Sequence, residues 1–168
     1  MYNNTKTNER NRFMNIIEAT EQDAAAIHLV MIAAFREYEK ALPPSGALDE
    51  TVLSIHKQLL NGEQALLVIE NSRPIGVVRY TLQSNVLSFF RLSVLPEKRG
   101  QGIATLLLNE LETIAIKAAV PFLQCKVRVS VPKNIALYQS LGYSIKEEQM
   151  SRGIPIVLME KPLFPNIT

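Results

Sequence analysis

Residues 92–105 read LSVLPEKRGQGIAT and combine a strand end, a glycine-containing loop and a helix start. Pro96 ends the predicted strand, and apolar residues at 103, 106, 107, 111 and 114 predict a helix from Gly102 to Ala118. Gly100 and Gly102 lack the Cβ atoms that would keep an anion from the backbone. The first turn of a helix has unpaired N–H groups and the positive end of the helix dipole. The stretch therefore predicts a phosphate-binding loop.

The spacing of its glycines distinguishes this loop from two other phosphate-binding motifs. A nucleoside-triphosphate loop needs Gly, four residues and then Gly-Lys-Ser/Thr, and the sequence has no such run. The dinucleotide fingerprint needs a third glycine inside a strand-helix-strand unit near the start of the chain, whereas this loop follows three consecutive strands. An ordinary glycine-rich turn before a helix stays open as an alternative.

Working outward from the loop, hydrophobic periodicity and turn residues predict the other elements. The predicted strands are 14–19, 65–70, 75–82, 86–95, 122–129, 143–148 and 156–160. The predicted helices are 21–40, 48–60, 102–118 and 132–141. The order βααβββαβαββ predicts a mixed α/β (α+β) fold with one sheet, in which an antiparallel meander precedes the loop.

Composition narrows the class of protein. The chain has 168 residues, a formal net charge of +2 and one cysteine. We therefore predict a single domain over residues 13–168 after a disordered extension at 1–12, in a cytoplasmic protein. Binding of nucleic acid or membranes is not expected, and neither is a disulfide or a metal site. We expect a monomer or a homodimer, in which an exposed final strand would be available for pairing.

A second motif lies at residues 132–143, PKNIALYQSLGY. Pro132 suits the first turn of a helix and Gly142 suits a C-terminal cap. Leu137 and Leu141 are predicted to face the core, while Asn134 and Tyr138 share another face and are suited to one ligand. The structural alternative is a half-buried tyrosine beside a capping asparagine.

Taken together, the two motifs resemble the GNAT superfamily of N-acetyltransferases. The family signature Arg/Gln-x-x-Gly-x-Gly/Ala after a Leu-x-Val-x-Pro strand end is matched by Arg99–Ala104 after Leu92–Pro96. The later Leu-Tyr and Gly-Phe/Tyr pairs are matched at Leu137-Tyr138 and Gly142-Tyr143. One departure is Val131, which stands where many members have an asparagine that contacts pantetheine. Asn134, one turn nearer to Tyr138, is the substitute that we expect.

The resemblance implies an acyl-CoA-dependent N-acyltransferase with acetyl-CoA as cosubstrate and an amine as acceptor. It implies a bulge in the strand before the loop, where the backbone of Leu92, Ser93 and Val94 would pair with the pantetheine arm and the Val94 N–H would polarise the thioester carbonyl. It also implies that the pyrophosphate sits on backbone amides and that Tyr138, as general acid, protonates the leaving thiolate. The amides of this implied pyrophosphate site are those of Arg99, Gly100, Gln101, Gly102, Ile103, Ala104 and Thr105.

Several residues and functions stay open at this point. Glu37 is a candidate general base, with a solvated helix glutamate as the alternative, and Cys125 is expected to be a small core side chain. His28 and His56 are expected to be structural or surface residues, and the strand arginines at 79, 91 and 128 are expected to face solvent rather than an acidic substrate. The segment 42–48 is expected to shape the acceptor pocket. Alternative functions are transfer from a longer acyl-CoA and a catalytically silent CoA-binding sensor.

Overall fold

The computed structural model describes residues 13–40 and 44–164. Its strands are β1 (Met14–Glu18), β2 (Gln64–Glu70), β3 (Arg73–Leu82), β4 (Val86–Val94), β5 (Phe122–Arg128), β6 (Ser144–Ser151) and β7 (Ile154–Pro162). Its α-helices are α1 (Ala24–Phe35), α2 (Val52–Leu60), α3 (Ile103–Lys117) and α4 (Pro132–Ser140). The predicted order and the mixed α/β class are confirmed. The predicted extension at 1–12 lies outside the described residues, and the single-domain organisation stays a prediction.

The strands form one seven-stranded sheet in the order β1-β2-β3-β4-β5-β7-β6. The β4–β5 pair is parallel, whereas β1–β2, β5–β7 and β6–β7 are antiparallel. The connections at Asn71–Ser72 and Gln83–Asn85 are too short for anything but antiparallel neighbours, as the predicted meander requires. The expectation that the final strand is an exposed edge is wrong, because β7 lies between β5 and β6.

The chain divides into two compact units. The first contains the described residues up to Arg79 together with Arg91–Leu107, and the second contains Tyr80–Phe90 together with the described residues from Leu108 onward. Each unit has fully buried apolar side chains, among which are Ile27, Met31, Ile55 and Leu66 in the first and Leu87, Leu111, Leu123 and Met159 in the second. Burial of this apolar surface is the main favourable contribution to folding.

Capping boxes precede the 3₁₀ turn Glu21–Asp23, which leads into α1, and the start of α2. The first capping box joins Thr20 and Asp23, and in it the Thr20 N–H donates to Asp23 Oδ2 at 2.8 Å. The predicted helix 48–60 is divided in two, a 3₁₀ turn at Gly46–Asp49 and then α2. A second capping box causes the break, since the Ser54 N–H donates to Thr51 Oγ1 at 3.1 Å and the Thr51 N–H donates to Ser54 Oγ at 2.9 Å.

Glycines end α2 and α4, and the one at Gly142 is the cap that the sequence predicts. Gly142 has a φ of +95°, the Gly142 N–H donates to the Gln139 carbonyl, and the Tyr143 N–H donates to the Tyr138 carbonyl at 3.0 Å. Gly62, with a φ of +104°, ends α2 through the same pattern of bonds. These two caps fix the residues that follow them, Tyr143 and Glu63.

Helix length and hydropathy bear on membrane insertion. The longest helix, α3, has 15 residues, and a span needs about 20 apolar residues. Over 13–40 and 44–164, no helix is both long and apolar enough to cross a bilayer.

Candidate functional site

The end of β4 is irregular at Arg91. This residue has a φ of +53°, in the left-handed region that bulky L residues rarely adopt. The Ser93 hydroxyl donates to the Arg91 carbonyl at 2.9 Å, and the Leu95 N–H donates to the Ile75 carbonyl at 3.0 Å. The parallel register of β4 with β5 covers Val86–Ser88 and does not extend to this end of the strand. An irregularity here is what the resemblance implies for the strand before the loop.

The loop between β4 and α3 has the backbone of an anion-binding turn. Gly100 and Gly102 have φ values of +76° and +80°, and a Cβ placed on either would have no atom within 4 Å among the described residues. The first hydrogen bond of α3 runs from the Leu106 N–H to the Gly102 carbonyl at 2.9 Å. By helix geometry, the N–H groups of Ile103, Ala104 and Thr105 therefore have no acceptor within α3. These amides next to open space fit a diphosphate.

Basic side chains beside the loop are paired with acidic ones. Lys98 Nζ lies 2.5 Å from Glu70 Oε1, and Arg99 Nη2 lies 3.1 Å from Glu37 Oε1. Arg99 also donates to the Ala34 carbonyl at 3.1 Å. The positive charges of Lys98 and Arg99 are therefore offset by these carboxylates. The attraction for phosphate therefore rests mainly on the backbone amides and the helix dipole.

A third ion pair near the loop joins Arg73 to Glu97. Arg73 Nη2 lies 2.6 Å from Glu97 Oε1. A backbone hydrogen bond within Glu97 and the side-chain bond from Arg73 hold the pKa of Glu97 below its ordinary value. Glu37, the candidate base, is an exposed residue of the 3₁₀ turn Arg36–Tyr38, and its carboxylate is ion-paired with Arg99.

In the second unit, Tyr138 is the buried residue of α4. Its ring forms an edge-on cluster with Phe89 at 5.8 Å and Tyr143 at 5.7 Å between centroids. Leu137 and Leu141 are only half-buried, so the expectation that they form the core face is wrong. Asn134 is half-buried, and the N-cap position belongs to Val131, so Asn134 is not the helix cap.

Tyr143 of this cluster and the nearby Cys125 are protected from solvent. Tyr143 is 3% exposed, and burial, the nearby Cys125 and other groups raise the pKa of its hydroxyl far above the ordinary value. Burial raises the pKa of Cys125 to about 12. A thiol with so high a pKa is a poor nucleophile at neutral pH, in agreement with the core role expected for Cys125.

Arg79 differs from the sequence expectation in its burial and in its partners. Arg79 was expected to face solvent, but it is 1% exposed and ion-paired with Glu63 and Glu50. Burial acts to lower the pKa of Arg79, but the bonds to Glu63 and Glu50 outweigh it and the pKa lies above its ordinary value. No local pattern predicts this network, because its members are brought together only by the fold.

The histidines have structural partners. A His28 ring nitrogen lies 3.1 Å from the Glu50 carbonyl, and a His56 ring nitrogen lies 2.9 Å from the Glu21 carbonyl. In the part of the chain that the structure describes, no group of three or more His, Cys, Asp or Glu side chains is placed to hold a metal ion.

Comparison with known proteins agrees with this geometry. Residues 17–143 match the family model described as "Acetyltransferase (GNAT) family". The uncharacterized protein YyaT of Bacillus subtilis is 28% identical over 106 residues, which cover 62% of this chain and 70% of YyaT. Because YyaT is uncharacterized, this similarity indicates relatedness but no activity.

Two solved structures share the fold. The ribosomal-protein-S18-alanine N-acetyltransferase of Escherichia coli has a TM-score of 0.74 and 19% identity, covering 89% of this chain and 94% of that one. The PaiA N-acetyltransferase of Thermoplasma acidophilum, solved with coenzyme A, has a TM-score of 0.76 and 16% identity, covering 89% and 98%. With the family model matching most of its length, the chain belongs to the GNAT acetyltransferase family.

Proposed function

We propose that this protein transfers an acetyl group from acetyl-CoA to an amine by direct attack. The observation that carries the proposal is the loop at Gly100 and Gly102, where two left-handed glycines and open space precede the N-terminus of α3. Membership of the GNAT family and a similar fold solved with coenzyme A support the same ligand. The cytoplasmic location and the choice between monomer and homodimer stay predictions.

The proposed cofactor contacts follow the order of the chain. The pyrophosphate would accept hydrogen bonds from the amides between Arg99 and Thr105. The backbone of Leu92, Ser93 and Val94 would pair with the pantetheine arm as an added strand. Asn134 is proposed to supply the contact that Val131 cannot make.

The proposed reaction has one attacking and one leaving group. The neutral amine attacks the thioester carbonyl carbon, and the Val94 N–H stabilises the developing oxyanion. When the C–S bond breaks, the thiolate takes the hydroxyl proton of Tyr138. The proton that the amine loses goes to solvent or to a base that we do not assign, since Glu37 is already paired with Arg99.

Thiol release from acetyl-CoA tests this proposal. The wild type is assayed against a panel of amines, amino acids and peptides, beside Tyr138→Phe and the matched control Tyr143→Phe from the same aromatic cluster. We expect Tyr138→Phe to lower kcat by about 100-fold or more, the range of general acid catalysis. Tyr143→Phe is expected to leave kcat unchanged.

The outcomes separate the alternative functions. Equal rates for Tyr138→Phe and the wild type would remove Tyr138 from the mechanism. CoA binding without thiol release from any acceptor would favour the silent sensor. Faster release from a longer acyl-CoA than from acetyl-CoA would favour the other acyl donor.

A further inference from the structure

Arg91 has a strained backbone and a fixed side chain in the first unit. Its φ of +53° lies in the left-handed region, which is unfavourable for a bulky residue. Residues with such backbone strain cluster at functional sites. The Arg91 Nε donates to Glu50 Oε2 at 3.0 Å, and its Cζ lies 5.9 Å from the centre of the Phe35 ring. A Cβ on Gly46 would lie 3.5 Å from Nη2, so the loop before α2 passes close to the guanidinium.

The terminal nitrogens of Arg91 are left for a ligand. Within residues 13–40 and 44–164, neither Nη1 nor Nη2 of Arg91 donates a hydrogen bond. The side chain is 29% exposed, so solvent reaches part of it. Two parallel N–H donors in one plane match the two oxygens of a carboxylate.

Glu50 orients Arg91 and is not itself open to an amine. Its two carboxylate oxygens accept from Arg79 Nη1 at 2.8 and 2.9 Å, and one of them also accepts from Arg91. Arg79 is also ion-paired with Glu63. A carboxylate whose oxygens already accept from two guanidinium groups is a poor partner for a third cation.

The position of Arg91 relates it to the acceptor. It directly precedes Leu92–Val94, the backbone proposed to hold the thioester. Gly46, on which a Cβ would lie 3.5 Å from Nη2, belongs to the segment 42–48 that is expected to shape the acceptor pocket. We propose that Arg91 binds a carboxylate on the acceptor, so that the substrates are amino acids or other amines that carry a carboxylate. This inference rests on the proposed function.

Matched pairs of acceptors test it. Each pair is an amino acid and the same amine without its carboxylate, such as phenylalanine and phenethylamine, assayed by thiol release from acetyl-CoA. We expect the wild type to favour the carboxylate member by about 10- to 100-fold in kcat/KM, the range of a charge-assisted hydrogen bond. Arg91→Asn, which tolerates a positive φ, should abolish the preference mainly through KM, and Arg91→Lys should retain part of it. The control Arg73→Gln removes an exposed arginine and should retain all of it.

The results distinguish this inference from the proposed function. CoA affinity is measured for every variant and shows whether the cofactor site is intact. A wild type that acetylates both members equally, prefers the bare amine or acetylates no pair overturns the role of Arg91, while acetyl transfer to other acceptors would keep the proposed function. Succinyl-CoA is compared with acetyl-CoA in the wild type and Arg91→Asn. A preference for succinyl-CoA that Arg91→Asn removes would place the carboxylate on the acyl group and overturn the acceptor assignment.

Discussion

At the scale of single residues, the hydroxyl of Tyr143 is an unsatisfied polar group in the aromatic cluster with Phe89 and Tyr138. It is buried and has no hydrogen-bond partner among the described residues. Leaving a polar group unsatisfied in the interior costs about 1–3 kcal/mol. The ring itself packs edge-on against Phe89 and Tyr138, so only the oxygen is unfavourable.

We therefore predict that Tyr143→Phe raises the free energy of unfolding by about 1 kcal/mol, measured by urea denaturation. Tyr138→Phe serves as the comparison, because it removes a hydroxyl from the same cluster. A loss of stability in Tyr143→Phe would show that its hydroxyl has a partner in solution.

Cys125 gives a second prediction, which concerns alkaline pH. Burial raises its pKa from 9.0 to about 12. Well below pH 9 the thiol is protonated in both states and contributes no pH dependence. Above pH 9 the unfolded chain releases the proton while the folded chain keeps it, so stability falls by up to about 1.4 kcal/mol per pH unit. In Cys125→Ala this part of the slope should disappear.

The measurement is the difference in free energy of unfolding between the wild type and Cys125→Ala at pH 8 and pH 10.5. The advantage of the wild type should shrink as the pH rises. A constant difference would mean that the thiol is accessible in the folded protein.

At the scale of elements, Gly76 sets how β3 lies against the start of α3. A Cβ at this position would come 2.7 Å from Ile103 Cγ2 and 3.6 Å from the Ser93 carbonyl. Ile103 is the first residue of α3 and is 2% exposed. The close approach therefore holds in place the helix N-terminus to which the phosphate site is assigned.

Gly76→Ala is predicted to lower the free energy of unfolding by about 1–3 kcal/mol through overpacking, and to weaken CoA binding by displacing Ile103. Gly46→Ala is the control, since its Cβ would make an ordinary 3.5 Å contact. Unchanged CoA affinity in Gly76→Ala would show that CoA binding does not depend on the position of the α3 N-terminus.

Local patterns predict the order of elements but not their partners. Periodicity and turn residues give every strand and α-helix in sequence, and Gly142 ends α4 as expected. The break before α2 was missed because Leu48 continues an apolar pattern, while the Thr51–Ser54 capping box starts the helix later. The interior place of β7 depends on pairing between distant residues, which short-range periodicity does not encode.

The site follows the same rule. The glycine loop is predictable because anion binding by a helix start needs residues that are consecutive in sequence. The neutralisation of Lys98 and Arg99 by Glu70 and Glu37 is not, because the partners lie 28 and 62 positions away. The same holds for Arg79, whose two carboxylate partners come from the α1–α2 connection and the residue before β2.

At the scale of the whole molecule, function depends on a small region of a widely shared fold. The similar structures are 19% and 16% identical to this chain, so the fold persists while most side chains differ. The cofactor assignment rests on backbone amides, which such divergence leaves intact. The acceptor assignment rests on side chains such as Arg91, which belong to this sequence.

The most direct test of the cofactor site is a calorimetric titration of CoA into three proteins: the wild type, Gly102→Asp and Gly153→Asp. Gly102 and Gly153 have nearly equal φ values, +80° and +78°, and both would place a Cβ in open space, so the two variants carry the same strain and added charge. We predict that the wild type and Gly153→Asp bind CoA alike and that Gly102→Asp does not bind. Equal CoA affinity in both variants, or no binding by the wild type, would contradict the assignment of this loop to the diphosphate.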